Sequence, residues 1–296
     1  TGAALCRAGV DKLAFTGSTI TARKVMSACA ETLTPVVIEC GGTDALLVDA
    51  DADLAAAADA AVWGAMVNVG QTCVGVERVY VVDDVAAELT ERIVTLTRQL
   101  RVGGEPTDHL GPITRPEQID VIRAHIADAL AQGGTALVGG AESVRPPFVQ
   151  PVVLTGVPET STAVTEETFG PTITVHRVAN LDEAVQRVNA SRYGLGAAVF
   201  SRRRGARIAG RLRCGMVAVN SVISYAAVPS LPFGGVGDSG FGRIHGADGL
   251  REFSRSKAVT RRRFRPLIQV LTFDRPPWAV QLLLRIVRVL YSGRGR

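Results

Sequence analysis

Short apolar runs alternate along this chain with longer stretches in which apolar residues recur every three or four positions. The runs Lys12 to Phe15, Pro35 to Glu39, Ala45 to Val48, Arg78 to Val82, Ala136 to Val138, Pro151 to Leu154, Thr172 to Val178 and Ala197 to Ser201 predict strands. Between them, Ser18 to Leu33, Asp53 to Asn68, Val85 to Leu100, Glu117 to Gln132, Leu181 to Asn189 and Gly205 to Leu212 predict helices. Asp53 is a suitable first residue for its Ala-rich helix, because a short acidic side chain can accept from the free backbone N–H groups there. Strand and helix in regular alternation imply an α/β fold with a largely parallel sheet. No internal repeat interrupts the pattern.

Composition narrows this picture only in places. A chain of 296 residues with 47% hydrophobic and 21% charged residues can bury a large core, so disorder and collagen-like structure are excluded. The net charge of +5 is unevenly spread. From Arg251 onward there are twelve Arg or Lys against two acids, which leaves twenty-one basic and twenty-six acidic residues before it. The basic character therefore belongs to the tail, and the main body carries no case for nucleic-acid binding. Five cysteines, an odd number without C-x-x-C spacing, argue against a disulfide framework and for a reducing, cytoplasmic setting. His109, His125, His176 and His245 are scattered with no H-E-x-x-H, so no metal site is expected.

The chemistry concentrates in Asn68-Val-Gly-Gln-Thr-Cys73 and in Glu39-Cys-Gly-Gly42, whose Glu lies 34 residues before Cys73. An isolated cysteine is usually a small buried hydrophobe. Here Asn68, Gly70 and Gln71 suit a tight polar turn, which makes Cys73 a candidate nucleophile. Glu39 ends an apolar run before two glycines. It reads either as an ordinary strand-end acid or as a base, since partial burial would raise its pKa toward neutrality. Cys6, Cys29, Cys40 and Cys214 lack such a setting. Phe15-Thr-Gly-Ser-Thr19 places Gly17 and Ser18 at a strand-to-helix junction, where Ser18 can cap the helix or help hold a phosphate. Glu167 and Phe169 fall in the acid-rich turn Glu166-Glu-Thr-Phe-Gly-Pro171.

These segments, with Pro232-Phe-Gly-Gly235 and Asp238-Ser-Gly-Phe-Gly-Arg243, resemble the aldehyde dehydrogenase superfamily in content and order, over about residues 1 to 260. The resemblance implies the end of a Rossmann-type cofactor domain (1–40), an α/β catalytic domain (41–245), a return segment with an oligomerisation strand near Ala258 to Phe264 (246–265), and a basic hydrophobic tail (266–296). It implies oxidation of a small-molecule aldehyde to an acid with NAD or NADP. Cys73 would form a thiohemiacetal and then a thioester, and Glu39 would activate the water that hydrolyses it. Gly17 and Ser18 would lie beside the cofactor pyrophosphate, Glu167 on the nicotinamide ribose and Phe169 against the nicotinamide. It also implies a homo-oligomer. Thr43 stands where the family usually has Lys. The chain matches only the C-terminal portion of such an enzyme, without the N-terminal half of the cofactor domain, and is expected to be inactive alone. The contrasting reading is a non-catalytic remnant that assembles with other subunits or docks on a membrane.

Two local matches fail on context. Gly235-Val-Gly-Asp-Ser-Gly240 fits G-x-G-x-x-G but follows Pro232, and it neither closes a strand nor opens a clean helix. Gly237-Asp-Ser-Gly240 resembles a serine-protease loop, yet no histidine sits in a matching segment. The stretch Trp278 to Tyr291 is about 14 residues, short of the roughly 20 that span a bilayer. Its apolar face, with Arg285 and Arg288 on one side, fits an interfacial helix on acidic lipid or a helix packed on protein.

Overall fold

The structure is a computed structural model that describes residues 2–264 and 272–292; Thr1 and positions 265–271 and 293–296 lie outside the described residues. Two compact units are present, Thr1–Ser254 and Arg255–Arg296.

The first unit contains twelve strands: β1 (Leu13–Gly17), β2 (Val36–Cys40), β3 (Asp44–Val48), β4 (Val76–Val82), β5 (Thr135–Val138), β6 (Val144–Arg145), β7 (Phe148–Val149), β8 (Val152–Thr155), β9 (Thr172–Val178), β10 (Gly196–Phe200), β11 (Met216–Val219) and β12 (Gly240–Phe241). Its helices are α1 (Gly2–Cys6), α2 (Thr19–Ala30), α3 (Leu54–Met66), α4 (Asp83–Arg98), α5 (Pro116–Ala131), α6 (Thr162–Thr165), α7 (Leu181–Asn189), α8 (Gly205–Ala209) and α9 (Gly246–Glu252), and the second unit holds α10 (Pro277–Tyr291).

A seven-stranded sheet runs in the order β11-β10-β3-β4-β9-β8-β5, parallel throughout except for β5. Its central strands are unbroken apolar runs because both faces are covered, as parallel sheets require. Successive side chains point to opposite faces. Leu46, Val48, Val79, Val81, Ile173 and Val175 therefore pack with α3, α4 and α5 on one side. Ala45, Leu47, Tyr80, Val82, Ala197 and Val199 pack with α7 and α8 on the other. Asp83 and Asp84 in the first turn of α4 and Arg98 in its last complement the helix dipole.

A small second sheet, β1-β2-β12, pairs β1 with β2 in parallel and β12 with β2 antiparallel. The chain leaves the end of β2 through Gly41 and Gly42 and enters β3 directly. The C-terminal edge of the small sheet thus abuts the N-terminal edge of the large one, and the loops entering β4, β9 and β10 gather at that junction. This seam positions the site.

The α/β alternation expected from the sequence is present, with boundaries moved by a few residues. Met216–Val219 is an additional edge strand. It is four residues long and follows Gly215, so it left too little periodicity to read. The helix expected over 205–212 ends at Ala209, where Gly210 caps it. The segment Ala258 to Phe264 carries no strand. A strand whose role is to join another subunit has no backbone to pair with in a single chain, and pairing is what defines it.

Candidate active site

Helix α3 stops at Met66, and the chain turns through Val67–Gly70 with three successive left-handed residues, Asn68 (φ 53°), Val69 (φ 62°) and Gly70 (φ 72°). That conformation is unfavourable for a β-branched residue such as Val69, so the surroundings must hold it. They do so visibly. Asn68 Nδ2 donates to the Gln71 carbonyl (2.9 Å) and Gln71 Nε2 returns a bond to the Asn68 carbonyl (3.2 Å). Gln71 Oε1 accepts from the Thr114 N–H at 2.9 Å, and a Cβ on Gly70 would lie 2.0 Å from the Gly170 carbonyl oxygen. Cys73 follows, half-buried, at the entrance to β4.

Glu39 projects from β2, opposite Thr16 in the register with β1. It is 5% exposed, and its Oε1 has no hydrogen-bond partner. Burial raises its pKa, while hydrogen bonds from the Cys73 thiol and the Thr16 hydroxyl oppose the rise. Glu39 is thus the acceptor already in reach of the Cys73 proton. The thiol itself is pushed up to about 12, by burial first and then by the nearby carboxyls of Glu39, Asp44 and Glu167. The resting cysteine is therefore a thiol, not the ready thiolate that a nucleophile in a polar turn suggests, because burial disfavours the charged form and the neighbouring carboxyls add to that.

Three further acids surround this pair. Glu167 lies over Gly41, where a Cβ would fall 1.7 Å from its Oε1, so a side chain at this position would push the Glu167 carboxyl aside. Burial and the charges of Glu77 and Asp44 push Glu167 up to about 9, against a hydrogen bond from the Gly42 N–H. Its Oε1 is buried without a partner. Asp44, in β3, accepts from the Gly196 N–H at 3.0 Å, and burial raises it well above the usual carboxylate range. Glu77, in β4, accepts from the N–H groups of Thr168 (2.9 Å and 3.1 Å) and Phe169 (3.0 Å). Burial pushes Glu77 up to about 7 despite those bonds.

Glu77 thereby holds the loop that carries Glu167 and Phe169, the latter in a left-handed conformation (φ 49°). Helix α5 holds the same loop from the far side: Gln118 Nε2 donates to the Thr168 carbonyl (2.8 Å), and the His125 ring bonds the Thr168 hydroxyl (3.0 Å).

A cleft of about 890 Å³ opens over this cluster, and Cys73, Glu39, Gly17, Ser18, Glu167 and Phe169 all line it. Every site residue anticipated from the sequence is thus brought to one place. Ser18 caps α2, its Oγ accepting from the Thr21 N–H at 3.3 Å. The sequence reading missed Asp44 and Glu77. Their one local signal is an acid at a strand position among apolar neighbours. Among the described residues, no group of three His, Cys, Asp or Glu is arranged to hold a metal ion.

The family model described as the aldehyde dehydrogenase family matches residues 1–259. The chain belongs to the aldehyde dehydrogenase family. A 4,4'-diapolycopene aldehyde oxidase of Methylomonas is 43% identical over 86% of this chain and 48% of its own length. A Mycobacterium tuberculosis protein named succinate-semialdehyde dehydrogenase [NADP(+)] 2 is 34% identical over 97% of this chain and 56% of its own length. Among solved structures, betaine aldehyde dehydrogenase from Staphylococcus aureus in complex with NAD+ aligns with a TM-score of 0.80 at 30% identity, covering 85% of this chain and 52% of that one. The mixed α/β architecture with its parallel sheet is thus the aldehyde dehydrogenase fold. The chain spans about half the length of the curated relatives it matches.

Proposed function

We propose that this chain forms the catalytic portion of an enzyme that oxidises an aldehyde to a carboxylic acid with NAD or NADP, in a protein completed to the length of its relatives. The observation that carries the reading is that Cys73 and Glu39 line one open cleft, and that the Glu39 carboxyl has an oxygen buried there without a partner. Gly17 and Ser18 at the start of α2 would sit beside the pyrophosphate, and Glu167 Oε1 offers a free acceptor for ribose hydroxyls. Phe169 would pack on the nicotinamide. An orphaned oxygen in a glycine-floored cleft fits such a ligand, because an unpaired buried acceptor is costly until something donates to it.

In the proposed reaction Cys73 Sγ bonds to the carbonyl carbon, its proton passes to Glu39, and the carbonyl electron pair moves to oxygen. The Cys73 backbone N–H is the donor available to that oxyanion. The bound cofactor supplies the hydride acceptor that turns the tetrahedral adduct into a thioester. Glu39 releases the Cys73 proton to solvent and then takes a proton from water, whose oxygen attacks the thioester; the acid is released and the proton from water passes to the departing Cys73 sulfur. Burial suits Glu39 to this work, since a base is most effective with a pKa near the working pH.

In the completed protein, Cys73→Ala should abolish turnover. Glu39→Gln should keep a single-turnover burst of reduced cofactor and lose steady-state rate. Equal loss of both would remove Glu39 from thioester hydrolysis. Absence of turnover in the unmodified completed protein would favour the non-catalytic reading, in which the chain only assembles with other subunits.

We also propose that α10 docks on an anionic membrane surface, as a peripheral contact of an otherwise cytoplasmic homo-oligomer. Gln281, Arg285 and Arg288 form one narrow polar stripe on this 15-residue helix, and its exposed Leu283, Leu284, Ile286, Val287, Val289 and Leu290 supply a broad apolar face. No helix among the described residues is long and apolar enough to cross a membrane. Sedimentation with phosphatidylserine vesicles should fall with salt and on deletion of residues 272–296. Equal sedimentation with the tail deleted would remove the lipid reading.

A further inference from the structure

Glu39 and Cys73 belong to different sheets. Glu39 stands in β2 of the small sheet, and Cys73 precedes β4 of the large one. The chain passes from one sheet to the other through Gly41, Gly42 and Thr43, which lie in no strand. Two adjacent glycines leave this link with wide backbone freedom. The strand it enters does not fix its far end, because the register of β3 against β4 slips there: Asp44 stands opposite Val76, and Ala45 opposite Arg78. Other contacts must set the distance between base and nucleophile.

Two buried side chains grip the link. Ser239, fully buried in the Gly237-Asp-Ser-Gly240 turn, donates from Oγ to the Gly41 carbonyl (2.8 Å) and accepts from the Gly194 N–H (3.1 Å). Arg78 is 4% exposed and sits in β4 itself. It donates from Nε (2.8 Å) and Nη2 (2.6 Å) to the Thr43 carbonyl. Its Nη1 donates to the Tyr80 hydroxyl at 3.3 Å, and that hydroxyl donates to Glu159 Oε2 at 2.9 Å. Arg78 is not among the residues that line the cleft, so it reaches the link and not a ligand.

From these contacts we infer that Arg78 is a positioning residue: by tying β4 to the Thr43 carbonyl, it sets the separation of Glu39 from Cys73. The inference rests on the dehydrogenase reading above, in which Glu39 takes a proton from the thiol and later from water. Both transfers need the carboxylate within hydrogen-bond reach, and a misplacement of about 1 Å can cost about 100-fold in rate. Lysine is not an equivalent here. It would keep a positive charge near Asp44 and Glu77. A single ammonium, however, does not reproduce a planar fork on one carbonyl together with a third bond to Tyr80.

The test is steady-state kinetics on the completed protein, with thermal denaturation alongside. Arg78→Lys should lower kcat by about 10- to 100-fold while the KM values for aldehyde and cofactor stay within about threefold, because the groups lining the cleft are untouched. Leu47→Ala removes packing opposite Tyr80 in the sheet and serves as the stability control. At an equal or larger fall in melting temperature, its kcat should stay within about twofold.

An Arg78→Lys kcat no lower than that of Leu47→Ala, or a change confined to KM, overturns the inference and leaves the dehydrogenase reading intact. Where Arg78→Lys yields no folded protein, Tyr80→Phe decides. It leaves the guanidinium one bond short and should lower kcat by about threefold to tenfold. A kcat within about twofold of the unmodified protein then overturns the inference. Absence of turnover in the unmodified completed protein overturns the dehydrogenase reading and the inference with it.

Discussion

The centre of the seven-stranded sheet and the seam around Cys73 lie a few residues apart in sequence and obey opposite rules. In the sheet, Leu46, Leu47, Val48, Val79, Tyr80 and Val81 are all fully buried, in regular strands flanked by helices on both faces. In the seam, Asn68, Val69, Phe169 and Ile223 are left-handed. Of the five buried side-chain polar atoms without a partner among the described residues, three are carboxyl oxygens of Glu39, Asp44 and Glu167. Strain and uncompensated desolvation are concentrated where chemistry is to occur, and the sheet supplies the stability that tolerates them. The lesson is a separation of roles: substitutions in the sheet should cost stability, and those in the seam should cost reactivity.

The largest effect should come from pairing one change in each region. Gly70→Ala puts a Cβ against the Gly170 carbonyl at a left-handed position, and should displace Cys73 enough to cut kcat/KM by about 100-fold or more. Leu46→Ala should lower unfolding free energy by about 2–5 kcal/mol while leaving the kcat of the folded fraction within about twofold. Thermal denaturation and steady-state kinetics on both variants would break the comparison if the two readouts moved together.

A smaller effect is expected at Glu77, which bridges the regions. Glu77→Ala leaves the Thr168 and Phe169 N–H groups unpaired, an expected loss of about 1–3 kcal/mol. It should also raise the cofactor KM about tenfold with a lesser effect on kcat, because the loop carrying Glu167 is freed. Glu77→Gln keeps an acceptor and should restore most of the affinity. An unchanged KM in the alanine variant would show that α5 alone positions the loop.

The smallest effect is in pH. Glu77 and Glu167 are raised to about 7 and about 9 from an ordinary value of 4.5. A raised carboxyl favours the protonated folded state, so its contribution is full below pH 4.5 and is lost as pH rises through the folded value. Melting temperature should therefore decline by a few degrees between pH 6 and 9. Glu167→Gln, which cannot ionise, should flatten the upper part of that decline. A variant with the unmodified slope would remove Glu167 as its source.

Much of this was legible in the sequence because the signals were local. A strand such as Ala45 to Val48 declares itself by an apolar run, and α3 by its alanines and capping Asp53. Cys73 and Glu39 could be nominated because Cys73 stands in a glycine-containing turn and Glu39 ends an apolar run before two glycines, a setting unusual for an ordinary core position. Asp44 and Glu77 were not legible, since each looks like an irregularity in a strand until its hydrogen bonds to Gly196, Thr168 and Phe169 are known. The edge strand Met216–Val219 was too short to declare itself.

The sequence by itself determined the α/β alternation, the nomination of Cys73 and Glu39, and the concentration of positive charge in the tail. Each depends on spacing within a few residues, where backbone periodicity forces neighbours to share a face or oppose one another. Only the tertiary structure decided that Glu39, Asp44 and Glu167 converge on one thiol, that Glu77 holds the loop carrying Glu167, that Glu167 rests on Gly41, and that the thiol is protonated at rest. Those properties arise from desolvation and Coulomb interaction, which depend on distance through space. The residues that produce them lie as far apart in the chain as Glu39 and Glu167, so no local pattern records them.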